Sequence, residues 1–158
     1  RVLPPAGEPA GRLAQRNGQA PVLAHRRIGY GRAMKFSEIE NGGATLIEAY
    51  DDARIRINGR DYTGGLAVTA ERVVLDWGPE RIDELDARHV AELLASEPQV
   101  VVIGTGSRQQ FPEPSLYVAL LERGIGVEIM DTGAACRTYN ILVSEGRRVV
   151  AALLPACD

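Results

Sequence analysis

The sequence predicts an α/β domain built on a mixed sheet, and three observations carry that prediction. Two short β-branched runs, Val100–Ile103 and Ile125–Met130, each precede a loop that opens a helix, so strands and helices alternate from Gln99 to Pro155. Upstream, turn signals at Asn58-Gly59 and Gly64-Gly65 separate short strands, the pattern of an antiparallel meander. Between these regions Ile82, Leu85, Val90, Leu93 and Leu94 fall at helical spacing.

Taken in order, the elements begin at Met34. Ala44–Tyr50 and Arg54–Ile57 are β-rich runs separated by Asp51-Asp52, a hairpin signal. Asn58-Gly59 should fold Arg60–Thr63 back on the second run, and Gly64-Gly65 should turn the chain into Leu66–Thr69 and Val73–Leu75. The first helix is expected to enter at Asp83, with Asp83, Glu84 and Asp86 at its N-terminal end and Pro98 as its stop. The second should open near Pro114 and end at Gly124. Asp131 or Thr132 can cap the third, which Gly146 should end.

Residues 1–33 read differently. Pro4, Pro5, Pro9 and Pro21 interrupt them, and no apolar periodicity holds for a full turn. They carry a net +5, with six arginines against Glu8 alone, and the remainder carries −8. The expected organisation is therefore a disordered arginine-rich tail at 1–33 and a single α/β domain at 34–158. The tail is arginine-rich and acid-poor like an organelle presequence but lacks its serine and threonine; the alternative is a wrongly chosen upstream start, with Met34 then the native first residue.

Composition limits the function classes. The chain has 158 residues, 45% hydrophobic and 25% charged, enough for one domain with a sizeable core. An acidic body argues against nucleic acid as a partner, because phosphate binding needs a concentrated basic face. No apolar run approaches the roughly 20 residues needed to span a bilayer. Two cysteines, Cys136 and Cys157, build neither a disulfide framework nor a cysteine-rich zinc site, which points to the reducing cytoplasm. Two histidines without a carboxylate cluster leave no metal site to assign.

Two loops carry the candidate chemistry. Gly104-Thr105-Gly106-Ser107-Arg108 combines a free backbone, two hydroxyls and a cationic fork, a set suited to a carboxylate or phosphate. It is not a dinucleotide fingerprint, because Gln109 replaces the third glycine, and it has no Walker lysine. The alternative is a tight turn that needs glycine. Asp131-Thr132-Gly133-Ala134-Ala135-Cys136-Arg137 follows the second strand, and Tyr139 and Asn140 lie one helical turn beyond Cys136. A thiol in the first turn of a helix has a lowered pKa, so Cys136 is either a reactive thiolate, with His89 as a conceivable base, or a small packing residue. Tyr139 and Asn140 either extend the site or pack and cap locally. Trp77 either anchors a partner or closes the end of a core.

Connected by one helix of about ten residues, Val100–Ile103 and Ile125–Met130 should be parallel neighbours. Their following loops should then face one cleft, with Arg108 exposed beside it. An anion held by backbone groups, Arg108 and Thr132 is the ligand expected there.

Four blocks of the sequence resemble the Mth938-like domain family: MKFSE at Met34–Glu38, RINGRDYTGGLAVT at Arg56–Thr69, GTGSRQQFP at Gly104–Pro112 and GVEIMDTGAACRTYNILVSEGR at Gly126–Arg147. The resemblance implies a three-layer α/β fold with a mixed five-stranded central sheet, an added β-hairpin layer and flanking helices. Most bacterial members are proteins of unknown function, one mitochondrial relative is an assembly factor for respiratory complex I, and another relative in animals is linked to adipocyte differentiation. The family is also noted for a possible pocket, and it supplies no catalytic residue to carry over.

The expected function is a non-enzymatic binding or assembly factor, with a protein client and a small anion as partners and no cofactor assigned. The competing expectation is a small-metabolite enzyme that uses the same two loops, or thiol chemistry at Cys136.

Overall fold

The computed structural model describes residues 34–35 and 43–155. The expectations for the tail at 1–33, with His25, and for Cys157 lie outside the described residues. The first four strands, β1 (Met34–Lys35), β2 (Ile47–Tyr50), β3 (Ile55–Ile57) and β4 (Arg60–Tyr62), form an antiparallel sheet in chain order. Asn58 and Gly59 turn β3 into β4 with φ of +51° and +77°. A two-residue hairpin turn favours positive φ at both positions, which is why Asn-Gly signalled it.

The predicted continuous meander breaks at Gly64-Gly65. There the chain leaves the first sheet, and β5 (Leu66–Thr69) and β6 (Val73–Leu75) join a second one with β7 (Val100–Gly104), β8 (Gly126–Met130) and β9 (Val149–Leu153). A Cβ on Gly65 would lie 2.3 Å from the Trp77 carbonyl oxygen, so the crossing point needs glycine. The order of this five-stranded sheet is β6-β5-β9-β7-β8. β5 is antiparallel to β6 and β9, whereas β7 is parallel to both β9 and β8. The sheet is mixed, and Val100–Ile103 and Ile125–Met130 supply directly adjacent parallel strands as expected.

A 3-10 turn (Ile82–Glu84) precedes three helices: α1 (Ala87–Leu94), α2 (Pro114–Glu122) and α3 (Thr132–Ser144). The chain steps one way across the sheet from β7 through α2 to β8, then back through α3 to β9. Right-handed crossovers in opposite directions put their helices on opposite faces. Two apolar cores result. Val101, Ile103, Val150 and Ala152 pack with Trp77, Val90, Leu93 and Leu120 on one face. Val100, Val102, Ala151 and Leu153 pack with Ala135, Cys136, Tyr139 and Val143 of α3 on the other. All residues of β7 and β9 are buried, as strands covered on both faces must be.

The added antiparallel layer rests on α3, since Ile47, Ile55 and Ile57 belong to the α3 core. Polar contacts fix that layer. The Asn140 side chain accepts from the Ile47 N–H at 2.9 Å through Oδ1 and donates to the Ile47 carbonyl at 2.8 Å through Nδ2, as a neighbouring strand residue would. One turn away, the Tyr139 hydroxyl donates to the Thr45 carbonyl at 2.8 Å, and the Thr45 N–H donates to Ala70 beside the second sheet.

The first helix differs from expectation. It starts at Ala87 rather than Asp83, because Asp86 caps it: its carboxylate accepts from the N–H groups of Arg88 and His89, and His89 Nδ1 accepts from the Asp86 N–H. The hydrogen bond from Arg88 is the main cause holding the Asp86 carboxyl near pKa 2. Asp83 and Glu84 belong to the separate 3-10 turn, with Asp83 paired to Arg81. The later boundaries hold: α2 opens at Pro114, and Gly124 and Gly146 follow α2 and α3 with φ of +78° and +80°.

Replacing Asn140 by alanine strands a buried N–H and a buried carbonyl at Ile47. At about 1–3 kcal/mol for each orphaned group, we expect Asn140→Ala to lower unfolding stability by about 2–6 kcal/mol in urea titrations. A loss under about 0.5 kcal/mol, the range of an ordinary surface substitution, would show that the clamp contributes little.

Candidate functional site

The parallel strands β7 and β8 release Gly104–Arg108 and Asp131–Asn140 at the same sheet edge. With α2 and α3 on opposite faces, the edge between these strands is a topological switch point, the usual place for a ligand crevice. Here the crevice is stitched closed. The Gly106 N–H donates to Thr132 Oγ1 at 2.9 Å, and the Thr132 N–H returns to the Gly106 carbonyl at 2.8 Å. Thr132 Oγ1 in turn donates to the Leu154 carbonyl at 2.8 Å, and the Leu154 N–H donates to the Gly104 carbonyl at 2.9 Å. Contact is tight enough to exclude a side chain at Gly104, whose Cβ would meet Thr132 Cα and Oγ1 at 3.0 Å.

These bonds use groups that the expected anion site needs. Thr132 spends its N–H and hydroxyl on the loop and the end of β9, and the Asp131 carboxylate occupies the Ala134 N–H at 2.8 Å. The Thr105 hydroxyl donates to the Arg108 carbonyl at 2.6 Å and accepts from the Gln110 N–H at 3.0 Å, so it closes its own turn. Gly106 adopts φ +99°, available to glycine without strain. The tight-turn reading of the loop therefore accounts for Gly104, Thr105 and Gly106.

Ser107 and Arg108 remain exposed at the tip, and Arg108 forms no ion pair among the described residues. Arg108 faces a cavity of about 300 Å³ lined by Thr105–Arg108, Gln110 and Pro155 on one side and Glu80, Arg81 and Ile82 on the other. The opposing wall is thus the loop before α1, not Asp131–Cys136. Nothing in the sequence signals Glu80 and Arg81, since their loop reaches this cavity only after the chain around Trp77 has packed. That residue is buried at the end of the core, where its Nε1–H donates to the His89 carbonyl at 3.1 Å.

Cys136 is a packing residue. It is fully buried in the α3 core, and burial pushes its thiol up to about pKa 12, overriding the opposing pull of Arg137. His89 cannot serve it, because His89 caps α1 and packs edge-on to Trp77 at 6.1 Å beside the opposite core. Tyr139 and Asn140 are the clamps of the added layer, both buried. Arg137 is exposed and donates to the Tyr50 hydroxyl, with its guanidinium 5.8 Å from the centre of that ring. Gly133 lets the Tyr50 ring approach, since a Cβ there would lie 2.7 Å from Tyr50 Cε2. Among the described residues, no group of three or more histidine, cysteine or acidic side chains can hold a metal, and no helix is long and apolar enough to cross a membrane.

The folded chain keeps the Cys136 proton that the unfolded chain releases at a pKa near 9. Its contribution to stability is complete below about pH 9 and lost as pH rises toward 12. At pH 8 we expect Cys136 to resist alkylation in the native protein and to react at the rate set by unfolding; rapid labelling without unfolding would restore the thiolate reading.

Comparison with known proteins bears on the same region. The family model described as a protein of unknown function (DUF498/DUF598) matches residues 47–154. NADH dehydrogenase [ubiquinone] 1 alpha subcomplex assembly factor 3 of Xenopus tropicalis is 34% identical over 112 residues, covering 70% of this chain and 61% of that protein. The 13 kDa major membrane protein of Francisella tularensis is 29% identical over 119 residues, covering 73% of this chain and 95% of that one. Among solved structures, a Bordetella pertussis protein described as a Mth938-like domain superposes with a TM-score of 0.65 at 35% identity, covering 79% of this chain and 94% of that one. The match over residues 47–154 and the shared architecture lead to one conclusion: this chain belongs to the DUF498/DUF598 family and has the Mth938-like fold.

Proposed function

We propose that this protein is a non-enzymatic assembly factor that binds a client protein, a subunit of a respiratory NADH dehydrogenase, from the cytoplasm. The observation that carries this reading is the fate of the polar groups at the sheet edge. Thr105, Thr132, Tyr139 and Asn140 are committed to internal hydrogen bonds, and Cys136 is sealed in the core. A nucleophile must reach its base and its substrate, and these groups reach neither. Likeness to the Xenopus assembly factor supports the choice of client. A peripheral attachment to a membrane complex also agrees with the name of the Francisella relative.

Contact with the client centres on the Arg108 cavity in this reading. Arg108, with no ion pair among the described residues, presents its guanidinium at the end of a loop held by the Thr105 and Thr132 bonds, and it can take a carboxylate of the client or a small anion. Such a group costs little entropy to order because its backbone is already fixed.

Affinity isolation of the full chain from its native cells should recover NADH dehydrogenase subunits. We expect Arg108→Ala to reduce that recovery about tenfold, a loss of roughly 1.4 kcal/mol, with an unchanged melting temperature. Recovery of no dehydrogenase subunit would overturn the assembly reading, and undiminished recovery with Arg108→Ala would remove the cavity from it.

A further inference from the structure

A larger cavity, about 490 Å³, opens at the opposite end of the five-stranded sheet, where β7 and β9 begin. Three segments wall it: the Thr69–Arg72 turn between β5 and β6, the Ala95–Pro98 exit from α1, and the Gly146–Val149 link from α3 to β9. Each arginine in those segments, Arg72, Arg147 and Arg148, lines the cavity. None forms an ion pair among the described residues, although Glu71 and Glu97 line the same space.

The ion-paired arginines lie elsewhere on the surface. Arg54, Arg56, Arg81 and Arg88 each lie within 3.1 Å of an aspartate. Here three arginines from two turns line one cavity, with no ion pair among the described residues. One of them is held in place. The Arg148 Nε–H donates to the Glu97 carbonyl at 3.1 Å, and the Arg148 backbone N–H donates to Gln99 Oε1 at 2.9 Å. The terminal nitrogens of that guanidinium make no hydrogen bond with the described residues and stay available to a ligand.

Glu97 holds Arg148 from a disfavoured backbone conformation, φ +50° without being glycine. Its N–H donates to the Leu94 carbonyl at 2.9 Å, so the turn is fixed on both sides. Buried Pro98, Val143 and Val149 supply an apolar wall. A single small ion would fill little of this volume, which lies in the range of metabolite sites.

We propose that this cavity binds a small organic or inorganic polyanion, bearing at least two carboxylate or phosphate groups, through Arg72, Arg147 and Arg148. Guanidinium forks match the paired oxygens of both groups, so the shared chemistry is multivalent negative charge of metabolite size. This site is separate from the Arg108 cavity, with which it shares no lining residue.

Calorimetric titration of the full chain at low salt with citrate and, separately, with pyrophosphate tests the proposal. Saturable one-to-one binding of at least one probe is expected, and which probe binds separates the carboxylate source from the phosphate source. Arg72→Ala and Arg147→Ala should each weaken it about tenfold or more with unchanged melting temperatures. Arg123→Ala, which removes exposed charge elsewhere, should change it less than about twofold. Binding of neither probe would overturn the proposal, and so would an equal loss with Arg123→Ala, the mark of unspecific charge attraction. A failure here leaves the assembly reading intact, because client recovery is read out at Arg108.

Discussion

The amide of Asn140 joins α3, which among the described residues is the one helix shared by both sheets, to the layer that lies over it. α3 touches the five-stranded sheet on one side and Ile47, Ile55 and Ile57 of the four-stranded sheet on the other. The polar side chains on the two buried faces of such a helix must find partners inside. Asn140 and Tyr139 find them in the backbone at Ile47 and Thr45, and Thr132 finds them in Gly106 and Leu154. The positions of the small sheet, the loop after β7 and the end of β9 all follow from where α3 places these three side chains.

One consequence is that hydroxyls and an amide expected at a ligand site serve construction. A switch-point crevice normally exposes loop N–H groups to a ligand. Here the crevice is filled by the protein's own threonine, so accessible polar chemistry moves outward to Arg108 on one edge and to Arg72, Arg147 and Arg148 at the other. Guanidinium groups on fixed turns suit recognition of acidic groups.

Much of the fold was legible because local chemistry and tertiary context agree. Asn58-Gly59, Pro114, Gly124 and Gly146 each have a backbone requirement that one or two residue types satisfy, and the β-branched runs of β7 and β8 have no other stable use. The misses have a common cause. Asp83, Glu84 and Asp86 are equally good helix openers locally, and only the reciprocal bond from His89 selects Asp86. The break at Gly64-Gly65 depends on contact with Trp77, and the burial of Cys136, Tyr139 and Asn140 depends on a sheet some 90 residues upstream. The arginine cavity was invisible for the same reason, since Arg72 and Arg148 meet only after β5 has paired with β9.

The most direct measurement of the α3 clamp is native-state hydrogen exchange at the Ile47 amide, whose N–H is held by a side chain rather than by a strand. If Asn140 binds the two layers into one cooperative unit, that amide should exchange only through global unfolding, with the same denaturant dependence as the amides of β7. Exchange through a local opening, faster than β7 and insensitive to denaturant, would contradict it and leave the small sheet as an independently fraying layer.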